Sequence, residues 1–148
     1  MNKSVLKNFA IWARNKLIAD INYKASLLGI TSKEIKSALS QSTKDAQFFD
    51  IGSREPYQIS GAAIAQRKRL VDSITARAGQ SDYATAYKTV IEEVAYTWFN
   101  RLIAVRFMEA NDYLPSRIRV LSGTGNKQEP DIVTSPFDTD LTFTPAER

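Results

Sequence analysis

The chain has 148 residues, 43% of them hydrophobic and 24% charged, with 20 Lys and Arg against 16 Asp and Glu and neither cysteine nor histidine. That length suits one compact domain with its own core, and the composition excludes a collagenous, low-complexity or globally disordered chain. The missing residue types exclude disulfides, thiolate metal sites, cysteine nucleophiles and every histidine-based triad or dyad.

Residues Val5 to Leu28 predict a helix, because Leu6, Phe9, Ala13, Leu17, Ile21, Ala25 and Leu28 recur at steps of three and four. Ile11, Trp12 and Ile18 widen that face, which asks for more than one partner element. Gly29 ends the helix, since glycine enters the left-handed cap at no steric cost. Thr31 and Glu34 form a capping-box pattern that predicts a short helix through about Leu39. Residues 40–60 read as loop, with Gln47 to Ile51 either a short strand or an irregular segment with buried aromatics. Gly52, Pro56 and Gly61 punctuate it.

A second helix is predicted from Gly61 to Ala78, with Ile64, Arg67, Leu70, Val71, Ile74 and Ala78 along one side and Gly79 closing it. Ser81 or Asp82 caps the longest helix, predicted to run to about Asn111 and to end at Pro115. Tyr83, Tyr87, Val90, Ile91, Val94, Trp98, Leu102 and Val105 make one stripe on it. Ala95, Phe99, Ile103 and Phe107 make a second. A helix apolar over so much of its circumference is expected at the centre of a bundle, and Trp98 in its core. The fold class that follows is all-α, a helical bundle around residues 82–111, with residues 1–121 as a helical domain. Residues 122–148 read as a Pro- and Asp-containing loop or linker. Thr144, Pro145 and Glu147 have the pattern of a helix start, from which the natural protein is expected to continue beyond Arg148.

No targeting signal is visible, because Lys3 and Lys7 break what would be the apolar run of a leader, and no uncharged stretch approaches the roughly 20 residues that cross a bilayer. No membrane partner and a cytoplasmic location are expected. Charge is segregated: residues 1–80 carry +7, residues 81–121 are neutral and residues 122–148 carry −3. A basic amino-terminal part suits contact with a polyanion, and equally the solvation of helix surfaces.

Few residues suggest chemistry. Gly123-Thr124-Gly125 lacks the strand before it and the helix behind it that a phosphate-binding turn needs. Ser135-Pro136-Phe137 lacks the Asn or Asp and the second Pro of a Pro-Pro-aromatic loop. Glu92 and Glu93, being adjacent on a helix, point to different sides and make no acid–base pair. Asp131, Asp138 and Asp140 read as solvated loop acids rather than a cation site. Arg106 and Glu109 are spaced for a buried ion pair. Arg67, Lys68 and Arg69, with Arg77 two turns on, are the candidate DNA contacts, weighed against a solvated face with Arg67 partly buried against an acid. No catalytic, cofactor-binding or metal residue is assigned.

The stretch Ala95-Tyr96-Thr97-Trp98-Phe99-Asn100-Arg101-Leu102-Ile103-Ala104-Val105-Arg106-Phe107-Met108-Glu109, with Arg119-Val120-Leu121-Ser122 and Glu129-Pro130-Asp131-Ile132-Val133, resembles the amino-terminal helical region of the PglX family. These are adenine-specific DNA methyltransferases of BREX phage-defence systems, related to the fused restriction–modification methylases. The resemblance runs over about residues 1–135 and includes the basic helix Arg67-Lys68-Arg69-Leu70. It implies a longer parent enzyme that uses S-adenosylmethionine. There a downstream domain carries the cofactor-binding glycines and an Asn-Pro-Pro-aromatic loop, followed by target recognition. None of those motifs is in this sequence. The expected role is a non-catalytic domain that packs on the methyltransferase core and assists non-specific DNA contact. The alternative is a docking module for another protein of the defence system, or a self-dimerisation module, without DNA contact. The two separate on whether Arg67, Lys68, Arg69 and Arg77 share one exposed face.

Overall fold

The computed structural model describes residues 2–114, 116–125 and 127–138. In chain order the elements are helix α1 (Lys3–Leu27), strands β1 (Ala46–Phe49) and β2 (Tyr57–Ser60), helices α2 (Ala62–Ala78) and α3 (Tyr83–Ala110), a one-turn helix α4 (Asp131–Thr134) and a 3-10 turn at Pro136–Asp138. They form two compact units, residues 1–98 and 99–148, with α3 contributing to both. The chain is mostly helical as expected, with one antiparallel hairpin added.

In the first unit, α1 starts at Asn2, whose side chain accepts the Ser4 amide at 3.0 Å. It ends where the Ile30 amide reaches back to the Ala25 carbonyl at 3.0 Å and Gly29 turns with φ +69°. A side chain on Gly29 would also press on Lys36 and Phe49, its Cβ lying 3.1 Å from Lys36 Cβ and 3.3 Å from Phe49 Cδ1. The core joins Ala25 of α1, Ile30, Ile74 of α2, and Tyr87, Val90 and Ile91 of α3. Ile18, Ile21, Leu70, Val71 and Val94 pack around them.

The helix predicted after Thr31 is absent. Thr31 Oγ1 does accept the Lys33 and Glu34 amides, both at 3.3 Å, as a helix cap would. The backbone then reverses: Thr31 donates to the Glu34 carbonyl and Lys36 to the Gly29 carbonyl, closing an Ile30–Ile35 bridge. Residues 46–49 and 57–60 are the two strands of the hairpin, with Gln47 opposite Ile59 and Phe49 opposite Tyr57. Phe49 and Ile59 are its buried side chains.

Asp82, rather than Ser81, caps α3, accepting the Thr85 amide at 3.0 Å and the Thr85 hydroxyl at 2.6 Å. The predicted stripe is buried only at its start. Trp98 is 48% exposed, Ile103 45% and Phe107 59%, so α3 is a core helix through Ala95 and a half-exposed one beyond. Periodicity reports that a face is apolar, not that something covers it. The helix start predicted at Thr144–Glu147 lies outside the described residues, as do Pro115 and Asp140. No helix among the described residues is long and apolar enough to cross a membrane.

Candidate functional site

The four basic candidates do not converge. At 100° per residue, Arg67, Lys68 and Arg69 fan around α2, and each finds a different environment. Arg67 turns inward: its Nε donates to the Leu28 carbonyl at 2.8 Å and its Nη2 to the Lys36 carbonyl at 2.7 Å, while the guanidinium lies 4.0 Å over the Phe49 ring. Burial pushes its pKa down from the ordinary guanidinium value. It is partly buried as expected, but against carbonyls and an aromatic ring rather than an acid. Lys68 pairs with Asp72 at 2.8 Å, and Arg77 pairs with Glu93 at 2.6 Å. Arg69 is exposed and forms no ion pair with a described residue. Glu92 and Glu93 do diverge, Glu92 reaching Arg14 at 3.3 Å.

A groove of about 530 Å³ in the first unit is lined by Ile18, Asn22 and Ser26 of α1 and by Tyr87, Lys88 and Ile91 of α3, among others. Its phenol is engaged: Tyr87 donates to Asn22 Oδ1 at 2.7 Å. Burial, and then the neighbouring Tyr83, push the Tyr87 pKa up, so it is no base at neutral pH.

The second unit is organised by two buried carboxylates. Glu109 of α3 is 2% exposed and accepts from the Leu121 amide, from Arg106 Nη1 at 3.2 Å and from the Ser122 hydroxyl at 3.4 Å. Burial pushes its pKa up, but the Leu121 amide, Arg106 and the Val120 amide together outweigh it and hold the group below its ordinary 4.5. The expected Arg106–Glu109 pair is present; the chain segment it grips, Leu121-Ser122, was not legible. Asp131 accepts both the amide (2.9 Å) and the hydroxyl of Thr124, and these bonds, the hydroxyl's first, hold its pKa down. The Gly123-Thr124-Gly125 loop therefore spends its Thr124 donors on the chain's own carboxylate. Gly123 is required there, because a Cβ would come 2.5 Å from the Glu129 carbonyl oxygen. Neither carboxylate is a general acid: both are held ionised by fixed donors. Among the described residues no group of acids could hold a metal ion.

Among the described residues, large apolar side chains also stand exposed. In the first unit, Val5, Leu6, Phe9, Ile11 and Trp12 of α1 are exposed. In the second, so are Leu102, Ile103 and Phe107 of α3 and Tyr113, whose ring meets Phe107 edge-on at 6.0 Å. Single exposed apolar residues are ordinary; runs at helical spacing mark interaction surfaces.

No family model matches the chain. It is 43% identical over 138 residues, 93% of its length, to the adenine-specific methyltransferase PglX of Lacticaseibacillus casei (strain Zhang), of which that stretch is 11%. It is 32% identical over 123 residues to the adenine-specific methyltransferase BrxX of Escherichia coli O9:H4 (strain HS), covering 82% of this chain and 9% of that protein. The chain spans about a tenth of the length of the curated relatives it matches. The resemblance read from the aromatic–Asn-Arg-Leu stretch is thus borne out: nearly the whole chain is similar to a small part of the adenine-specific methyltransferases PglX and BrxX.

Proposed function

We propose that this chain is a non-catalytic helical part of an adenine-specific DNA methyltransferase of the PglX kind in phage defence, and that it packs on the methyltransferase portion. The observation that carries this is the apolar face of α3 beyond Trp98, where Leu102, Ile103 and Phe107 stand exposed at helical spacing in a segment that is a tenth of its relatives. Uncovered, that face costs solvation; covered by the larger portion, each of these half-exposed side chains contributes about half of the roughly 1.5–3 kcal/mol that full burial is worth. S-adenosylmethionine is the cofactor of the parent enzyme in this reading, bound outside residues 1–148. Hydrogen exchange tests the packing: amides of residues 99–110 exchange more slowly in the intact methyltransferase than in this chain alone. Equal rates overturn the reading.

The basic excess of residues 1–80 supports a lesser contribution, non-specific contact with DNA phosphates. On α2 its candidates are reduced in strength by the pairs of Lys68 and Arg77 and by the inward turn of Arg67, which favours packing as the main role.

A further inference from the structure

The amino-terminal half of α1 is built unlike the rest of its unit. No residue from Lys3 to Trp12 is buried; Ala13 is the first that is. Yet Val5 (63% exposed), Phe9 and Trp12 (62%) follow the spacing i, i+4, i+7 and fall within about 60° of one another on the helix. The Phe9 and Trp12 rings are neighbours at 6.1 Å. A helical stretch of this length is marginal in water without packing. Two large aromatic rings on one strip are the residues that anchor a helix in a groove.

The charges select the occupant. From Asn2 to Ala19 every ionisable side chain is basic: Lys3, Lys7, Arg14 and Lys16. The same strip of a second copy, parallel or antiparallel, sets basic residues against basic residues. An anionic lipid surface needs a larger cluster of free cations. Here Arg14 is paired with Glu92 and Lys16 with Asp20, which leaves Lys3 and Lys7. A protein groove whose rim is not basic fits. The relatives extend about nine times beyond the matched stretch, so such a surface is available at high effective concentration within one chain.

We propose that Val5, Phe9 and Trp12 insert as a helical ridge into an apolar, non-basic groove on the methyltransferase portion outside residues 1–148. This rests on the packing reading above and adds a second, separate contact to it.

A photo-reactive benzoylphenylalanine in place of Phe9, in the intact methyltransferase that carries this segment, tests the contact. A cross-link within the chain to a peptide outside residues 1–148 is the expected result, and Val5→Glu with Trp12→Glu reduces its yield several-fold. Those two positions are exposed, so circular dichroism and thermal unfolding of the 148-residue chain stay unchanged in the double variant. Cross-links to a second copy, to lipid or to nothing overturn the proposal, as does a yield indifferent to the double variant. The same probe at Phe107 reports on the α3 contact. A cross-link from Phe107 without one from Phe9 sinks this proposal and leaves the packing reading standing; failure at both sinks both.

Discussion

Replacing Arg67 by Ala strips a donor from two carbonyls at once, those of Leu28 and Lys36, and a cation from the face of Phe49. Each lost bond to a charged donor is worth about 1.5–3 kcal/mol and the ring contact about 0.5–1, with part recovered by water. Arg67→Ala should therefore destabilise by about 2–4 kcal/mol in urea unfolding. Lys cannot span both carbonyls, so Arg67→Lys should rescue only part. Lys68→Ala, one residue on but on the surface, should stay within about 0.5 kcal/mol. A loss below about 1 kcal/mol for Arg67→Ala would return Arg67 to the pool of surface cations. The same contrast applies to apolar residues. Ile74 is fully buried, and Ile74→Ala should cost about 2–5 kcal/mol by its cavity. Trp98, half exposed, should cost less than the 3–5 kcal/mol of a buried Trp. Equal losses at the two positions would mean that Trp98 belongs to a core after all.

Among the elements, the two acids of the second unit make its folding sensitive to acid. Glu109 and Asp131 both have folded pKa values below their ordinary 4.5 and 3.8. The unfolded chain then binds more protons across that interval, so stability rises with pH there. Their contribution is complete above the ordinary values and is lost as pH falls through the depressed ones. In an acid titration followed by NMR, the Leu121 and Thr124 amides should hold their hydrogen-bonded shifts until pH falls below the ordinary values, then move together with the loop. Shifts that track the ordinary carboxylate range would show that neither clamp forms. This clamp was half legible. The i, i+3 spacing of Arg106 and Glu109 gave the pair, but its grip on Leu121 and that of Asp131 on Thr124 are contacts between residues whose spacing carries no period. Thr31 and Glu34 show the opposite failure. Thr31 makes its side-chain half of a helix cap, but the Thr31 amide goes to the Glu34 backbone carbonyl rather than to its carboxylate, and the chain turns into a bridge, because Lys36 bonds Gly29 and Leu39 bonds the Phe48 carbonyl of β1. The hairpin that supplies those partners has strands of four residues, too short for alternation to be told from chance. The long helices were legible because they repeat the same signal over four to eight turns.

For the molecule as a whole, the question is whether a charge of +7 over residues 1–80 amounts to a DNA surface. Each phosphate neutralised adds about −0.9 to the slope of log affinity against log salt, so a surface of several free cations binds with a steep salt dependence. Here the cations of α2 fan around the helix, and six of the thirteen in residues 1–80 are engaged within the chain. Arg14, Lys16, Lys36, Lys68 and Arg77 are in ion pairs, and Arg67 is held by carbonyls. The expected slope is therefore shallow, about one or two contacts' worth, and the same for any duplex, since phosphates carry no base information. Lys68→Ala with Arg69→Ala changes exposed side chains only and is the informative pair; Arg67 is left alone because its loss destabilises the unit. Fluorescence anisotropy with two unrelated duplexes at several salt concentrations should show the double variant binding within about two-fold of the parent chain. A drop of about five-fold or more on both duplexes would place the exposed side of α2 against DNA and raise phosphate contact from a minor role to a main one. A drop on one duplex alone would mean base readout, which dispersed cations of this kind do not perform.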